Sequence, residues 1–235
     1  GGTRRFSIEE EGIRPDKLVT IPNGIDVERF SMELSPEAEH SLRQALGVEP
    51  NSLIVLTVAR LHPQKGHKYL IEAIPCILRN FPHARFLFVG EGELNDELTR
   101  QVDEAELSDY IRLLGVRQDV PQLLALSDLF VLPSLWEGMP NSVLEAMAAS
   151  VPVVATNVDG TPEIINDEDV GILIPPADSS ALEQEICRLL KDKPLRVSMA
   201  KVARERVEGE FSRDANTKAF IDLYQSLLAE RNQAK

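Results

Sequence analysis

The sequence has few cysteines and no long apolar run. Only two cysteines occur in 235 residues, Cys76 and Cys187, and both fall within helical patterns. This usage is typical of free thiols in a reducing compartment and does not predict a disulfide framework. No apolar run is long enough to cross a bilayer, and the first residues do not match a secretion signal. We therefore expect a cytoplasmic location.

Positive charge is also scarce. The chain has 25 Lys and Arg against 38 Asp and Glu, which gives a formal net charge of -13. Because a nucleic-acid-binding surface needs the opposite balance, we expect no nucleic-acid partner, and unaided binding to an anionic membrane is disfavoured. One stretch departs from this balance. Residues 50–71 contain no Asp or Glu but include Arg60, Lys65 and Lys68, which indicates a local anion site.

From Leu53 onward, short apolar runs alternate with helical patterns. The runs are rich in Val, Leu and Ile and do not alternate with polar residues, which is typical of parallel strands buried on both faces. The predicted strands are Leu53–Ala59, Arg85–Val89, Ile111–Leu114, Leu129–Leu132, Val153–Thr156 and Gly171–Ile174. The repeated β-α units predict an α/β fold, a Rossmann-like doubly wound parallel sheet followed by C-terminal helices. A further short strand is predicted before this series, at Lys17–Ile21.

The most informative stretch is residues 133–149, with the sequence PSLWEGMPNSVLEAMAA. It leads from a predicted buried strand through a turn into a helix, for which Asn141 is the predicted capping residue. The free N–H groups and dipole of a helix N-terminus favour a phosphate. Glu137 and Glu145 bracket the turn, and a carboxylate accepts hydrogen bonds from sugar hydroxyls. The stretch therefore predicts a site for a sugar nucleotide.

Glu137-GMPNSVL-Glu145, within this stretch, resembles the E-x7-E signature of retaining glycosyltransferases with the GT-B fold, most closely glycosyltransferase family 4 (group 1). The segment VARLHPQKG, residues 58–66, is similar to the family's loop in which an Arg and a Lys hold the donor diphosphate. The resemblance implies sugar transfer from a UDP-, GDP- or ADP-sugar with retention of anomeric configuration. It implies a sugar, lipid-linked or small-molecule acceptor, and neither a metal nor another cofactor.

The resemblance also implies roles for individual residues. Glu137 would orient the donor sugar, Arg60 and Lys65 would stabilise the leaving diphosphate, and no residue is named as a nucleophile. The implied substrate-binding residues are Glu145 for the ribose, Gly138, Met139, Pro140, Asn141, Ser142 and Val143 for the diphosphate through backbone N–H groups, Val116 and Arg117 for the base, and Gly24 in the turn between domains.

The segment TIPNGID, residues 20–26, resembles the family's connection between its two domains. The resemblance implies that residues 1–30 are a linker from an N-terminal domain that this chain lacks. Residues 31–210 would form the nucleotide-sugar-binding domain, and residues 211–235 a helix that crosses back onto the missing domain. We expect the apolar face of that helix to be partly uncovered, the isolated chain to have little or no activity, and any membrane contact to lie in the missing half.

Other functions stay open at this point. The same fold supports sugar-nucleotide epimerases, and a non-catalytic nucleotide-sugar-binding half could depend on a partner chain. A nicotinamide-dependent oxidoreductase is suggested by the G-E-G at residues 90–92 after a strand, although Asn95 stands where a third glycine belongs. The D-x-D at Asp167–Asp169 lies in an acidic loop and is interpreted as a solvated turn, not as a metal site.

Overall fold

A six-stranded, wholly parallel sheet forms the centre of the computed structural model, which describes residues 8–233. The strands are β1 Ile54–Val58, β2 Arg85–Val89, β3 Ile111–Leu113, β4 Leu129–Leu132, β5 Val153–Thr156 and β6 Ile172–Ile174. Their order is β3-β2-β1-β4-β5-β6. This confirms the predicted doubly wound Rossmann-like sheet. Residues 1–7 and 234–235 of the two predicted terminal segments lie outside the described residues.

The sheet is covered by helices on both faces. The α-helices are α1 Val27–Phe30, α2 Pro36–Leu46, α3 His67–Asn80, α4 Asn95–Glu104, α5 Val120–Ala125, α6 Asn141–Ala148, α7 Thr161–Ile164, α8 Ser179–Lys191, α9 Lys193–Glu210 and α10 Arg213–Gln233. Capping signals fix several ends. The Ser35 side chain accepts from the N–H of Ala38 to start α2, and Gly47 ends it in the left-handed conformation.

Two apolar clusters, one on each face of the sheet, hold the domain together. Successive strand residues point to opposite faces, so Val55 joins the cluster beneath α3 and α8 while Leu56 joins the one beneath α6 and α9. Phe86 and Phe130, both fully buried, belong one to each cluster. Burial on both faces explains why the strands are continuous apolar runs.

The order of the strands reverses at the neighbours β1 and β4. β1 pairs on one side with β2 and on the other with β4, and their carboxyl ends lie at the same edge of the sheet. In an open parallel sheet, the loops that leave this point diverge and form a crevice where ligands bind. Here those loops are residues 59–66 after β1 and residues 133–140 after β4.

The strand predicted at Lys17–Ile21 is wrong. Pro15–Lys17 forms a 3-10 turn, and the residues after it are not part of any ladder in the described chain. A strand needs a partner for its backbone N–H and C=O groups, and none of these residues pairs with a strand of the sheet. Ile25, within the predicted linker, instead makes an isolated parallel bridge with Ser212, at the start of the last helix.

The last helix, α10, leaves apolar side chains in solvent. Phe220, Tyr224, Leu227 and Leu228 are 44%, 65%, 50% and 58% exposed. The expectation that this face is partly uncovered is confirmed.

A search of residues 8–233 for membrane spans found no helix with the necessary length and apolar character.

Candidate functional site

The predicted basic and acidic residues meet where the loops after β1 and β4 come together. Lys65 Nζ donates to Glu137 Oε1, and the two side chains are only 14% and 6% exposed. Ser134 Oγ donates to the same carboxylate oxygen at 2.6 Å. Within residues 8–233, the second oxygen of Glu137 and two of the three Lys65 protons have no partner. This buried cluster therefore keeps both an acceptor and donors available for a ligand.

Close backbone contact brings Lys65 to this position. Gly66 follows it at φ 63°, and a Cβ on Gly66 would lie 2.1 Å from the carbonyl oxygen of Pro133. Two further bonds join the loops, from Leu135 N to the Gln64 carbonyl at 2.7 Å and from Gln64 Nε2 to the Trp136 carbonyl at 2.8 Å. Trp136 itself is 49% exposed, beside Glu137. Gly66 is thus required by the contact between the two loops, and this contact places Lys65 beside Glu137.

The N-terminus of α6 offers fewer free amides than the six predicted positions. Pro140 has no N–H, and the N–H of Val143 already donates to the Pro140 carbonyl at 3.1 Å. In the described part of the chain, four amides make no hydrogen bond, those of Gly138, Met139, Asn141 and Ser142. They lie at the positive end of the helix dipole, which favours an anion such as a diphosphate.

Asn141 is not the capping residue that the sequence predicts. Pro140 occupies the N-cap position with φ -74° and ψ 105°, so Asn141 is already the first helical residue. The Asn141 side chain accepts no hydrogen bond from the free amides, as a capping side chain would. Asn141 Oδ1 instead accepts from Asn23 Nδ2 at 2.9 Å.

Asn23, within the predicted linker, contacts this loop and was missed by the sequence analysis. Its backbone N–H donates to the Met139 sulfur at 3.2 Å, and its Nδ2 lies 3.4 Å from the Met139 carbonyl. Gly24, beside it, packs so tightly that a Cβ would lie 2.6 Å from Asn216 Cβ and 2.9 Å from the Ser212 carbonyl. Gly24 therefore has a packing role, and its binding role stays a prediction. The sequence signal was an Asn-Gly pair, which predicts only a turn.

Glu145 and Arg60 remain open to a ligand. Glu145 is half-buried on α6, and burial raises the pKa of its carboxyl while the charge of Arg29 opposes the rise. Neither the Glu145 carboxylate nor the Arg60 guanidinium has a hydrogen-bond or ion-pair partner among the described residues. A partly desolvated carboxylate without donors is suited to accept hydroxyl hydrogen bonds.

The predicted base-binding residues lie in the loop after β3. Val116 is largely exposed, and the Arg117 guanidinium binds Asp119 in a bidentate pair at 2.8 and 2.7 Å. This pair lowers the pKa of the Asp119 carboxyl. Because the Arg117 side chain is already engaged, backbone groups are the available part of this loop.

Packing explains the G-E-G at residues 90–92. A Cβ on Gly90 would lie 2.0 Å from the Ala59 carbonyl oxygen, and one on Gly92 would lie 2.3 Å from that of Leu61. Leu61 N also donates to the Glu91 carbonyl at 2.9 Å. These glycines support the loop that carries Arg60, so they are not a signal for a dinucleotide.

The D-x-D lies in an exposed turn, where the N–H of Asp169 donates to the Asp167 side chain at 2.9 Å. Across residues 8–233, no group of three or more His, Cys, Asp or Glu side chains is arranged to hold a metal ion.

Comparison with known families identifies the domain. The model of the family "Glycosyl transferases group 1" matches residues 39–206. The chain belongs to this family. It is 34% identical over 232 residues to the UDP-Gal:alpha-D-GlcNAc-diphosphoundecaprenol alpha-1,3-galactosyltransferase of Escherichia coli, covering 97% of this chain and 59% of that protein. The chain thus spans little more than half the length of this relative.

Solved structures with a similar fold agree with this assignment. Anabaena HepE in complex with UDP-glucose matches with a TM-score of 0.83 and 29% identity, over 92% of this chain and 59% of that one. The C-terminal domain of the group 1 family protein LpcC from Francisella tularensis matches with a TM-score of 0.71 and 26% identity. That match covers 81% of this chain and 100% of the LpcC domain. The expected resemblance to the C-terminal half of a GT-B glycosyltransferase is confirmed.

Proposed function

We propose that this chain supplies the donor-binding half of a retaining glycosyltransferase, which moves a sugar from a nucleotide-diphosphate sugar to an acceptor. The observation that carries the proposal is the cluster of Lys65, Ser134 and Glu137 beside the free amides of α6. One arrangement thus presents donors for a diphosphate and, within a few residues, an acceptor for sugar hydroxyls.

Each part of the donor would have a partner in this arrangement. The diphosphate would accept hydrogen bonds from the four free amides, from Arg60 and from the remaining protons of Lys65. The second oxygen of Glu137 would accept from hydroxyls of the donor sugar, and Glu145 would accept from the ribose. The backbone of Val116 and Arg117 would hold the base.

Arg60 and Lys65 would also assist the transfer reaction. When the bond between the anomeric carbon and the diphosphate breaks, negative charge builds on the leaving diphosphate. Arg60, Lys65 and the N-terminus of α6 would stabilise that charge more strongly than the charge of the bound donor, which lowers the barrier. We assign no nucleophile on this half, because retaining enzymes of this fold are expected to react on one face of the sugar without one. We assign no metal, because these groups would supply the positive charge that the leaving group needs.

A UDP-sugar is the first donor to test. The Escherichia coli relative is named for UDP-galactose, and HepE was crystallised with UDP-glucose. GDP and ADP sugars remain candidates, since base recognition by backbone groups leaves little trace in side chains. The acceptor, whether a sugar, a lipid-linked or another small molecule, would bind mainly to a second half. That half would cover the apolar face of α10 and make any contact with a membrane, so we expect little or no transfer by this chain alone.

Isothermal titration of the chain with UDP, GDP and ADP tests the proposal. We expect one of the three to bind, and Glu145→Ala to weaken its affinity about tenfold because hydrogen bonds to a carboxylate are lost. Glu205→Ala is the matched control, since Glu205 is also a helical glutamate but lies exposed on α9. If no nucleotide diphosphate binds at millimolar concentration, or if both variants lose equal affinity, the proposed site is wrong.

A further inference from the structure

A third loop at the same edge of the sheet, residues 157–160 after β5, contacts the Glu137 loop at two adjacent points. Asp159 Oδ2 accepts a hydrogen bond from the backbone N–H of Glu137 at 2.8 Å. Gly160 lies so close to the carbonyl oxygen of Gly138 that a Cβ on it would be only 2.0 Å away. The two loops are therefore joined at the residue that would face the donor sugar.

The backbone of Asp159 adopts an uncommon conformation to make this contact. Its φ is 44°, in the left-handed region that non-glycine residues seldom occupy and that Asp tolerates better than most. Such a conformation persists where the surrounding structure fixes it. Below this point, Thr156 Oγ1 donates to the Ser134 carbonyl, which ties the same two segments together a second time.

The charge of Asp159 argues against a direct role in holding the diphosphate. A carboxylate beside the free amides of α6 repels a phosphate, so its presence there needs another explanation. The hydrogen bond supplies one, because it occupies the amide of Glu137 and fixes the backbone from which the Glu137 side chain extends. Lys65 and Ser134 then hold the carboxylate of Glu137 from the other side.

We propose that Asp159 is a positioning residue, which holds the Glu137 backbone so that its carboxylate meets the hydroxyls of the donor sugar. The inference rests on the proposed function. It adds that the contribution of Asp159 is mainly to sugar binding, since its hydrogen bond goes to the Glu137 amide and to none of the amides or cations that would hold the nucleotide diphosphate.

Three variants of the chain test the proposal. Asp159→Gly keeps the backbone conformation and removes the acceptor, whereas Asp159→Asn keeps an acceptor oxygen. Glu106→Gly is the matched control, because Glu106 is also an exposed acid in the left-handed region (φ 57°) but precedes β3, at the opposite edge of the sheet. The measurements are hydrogen exchange of the Glu137 amide without ligand, and titration with UDP and with UDP-glucose.

We expect Asp159→Gly to abolish protection of the Glu137 amide and to weaken UDP-glucose binding about tenfold, as for the loss of one hydrogen bond. UDP binding should change less than about twofold, and Asp159→Asn should resemble the wild type in both measurements. Equal losses for UDP and UDP-glucose, or an unchanged Glu137 amide in Asp159→Gly, would overturn the proposal. If the wild type binds neither ligand, the donor site is refuted. Hydrogen exchange of the Glu137 amide then still tests whether Asp159 accepts its hydrogen bond.

Discussion

His67 lies two residues beyond Lys65 and is buried in the core. Its ring contacts Phe88 edge to face with 5.4 Å between centroids, and neither ring nitrogen has a hydrogen-bond partner within the described chain. Burial, assisted by the positive charge of Lys65, lowers the pKa of His67 to about 4. The imidazole of His67 is therefore neutral at pH 7. The positive charge near Glu137 then comes from Lys65 and not from His67.

The low pKa of His67 predicts a pH dependence of stability. In the unfolded chain His67 takes up a proton below about pH 6.5, whereas the folded chain does so only near pH 4. Stability should therefore fall as the pH drops through this window, by about 3 kcal/mol in total for this group. The measurement is the free energy of unfolding in urea at several pH values for the wild type and His67→Leu. His83→Leu, at an exposed position, is the control. A difference between wild type and His67→Leu that stays constant from pH 7 to pH 4 would contradict a buried neutral His67.

The sequence located the charged residues of the candidate site but not those that support them. Arg60, Lys65, Glu137 and Glu145 carry a spacing that can be recognised within short segments. Asn23 bonds to residues more than 100 positions away, and such contacts depend on how the segments pack and not on any local pattern. The prediction for Asn141 failed for a related reason, since the conformation of its neighbour Pro140 decided where the helix begins.

Among the elements, the strands were the most predictable. The bounds of β2, β4 and β5 agree with the sequence prediction at both ends, because side chains buried on both faces must be apolar without interruption. The apolar pattern at Lys17–Ile21 was similar, yet it forms no strand, since a strand depends on a partner that the pattern does not specify. The glycines at helix ends were easy to locate, but their contacts were not predictable. Gly47 follows α2 and Gly66 precedes α3, and only the structure shows what each of them contacts.

Gly47 and Gly66 provide a matched pair for testing close approach of elements. Both adopt the left-handed conformation, at φ 65° and 63°, so an alanine is strained equally at either position. A Cβ on Gly47 meets only the end of Arg112 at 4.0 Å, whereas one on Gly66 overlaps the Pro133 carbonyl at 2.1 Å. Gly47→Ala should cost about 1 kcal/mol of stability.

Gly66→Ala should cost about 3 kcal/mol or more, because the clash adds to the strain. It should also weaken UDP binding by displacing Lys65 from Glu137. Thermal unfolding and titration of the two variants check both parts. Equal effects of the two substitutions would mean that the contact between the loops is not tight.

In the whole molecule, the side chains that stabilise the fold and the groups that would bind a ligand lie at different positions along the strand direction. The core lies within the sheet and its covering helices, and the candidate site lies in loops at the carboxyl edge. The last helix, α10, adds little to the core or to the candidate site, since most of its side chains beyond Phe220 are in solvent. Apolar groups that are exposed in the folded state contribute little to its stability.

Substitutions in α8 and α10 should therefore differ sharply. Leu189→Ser, at a fully buried position in α8, should destabilise the domain by more than about 3 kcal/mol. Leu228→Ser, at an exposed position in α10, should change stability by less than about 0.5 kcal/mol. Urea denaturation of both variants gives the comparison. A large loss for Leu228→Ser would mean that α10 packs on this domain after all.

Trp136, half exposed between Gln64 and Glu137, gives the protein an optical property of its own. It is the single tryptophan among 235 residues, so all indole emission comes from the loop that carries Glu137. Indole emission depends on solvent contact, and a ligand that displaces water from this loop alters its wavelength or intensity. The chain therefore carries one built-in indole fluorophore, with no second indole to obscure its signal, in the loop where a ligand that enters the crevice would be detected.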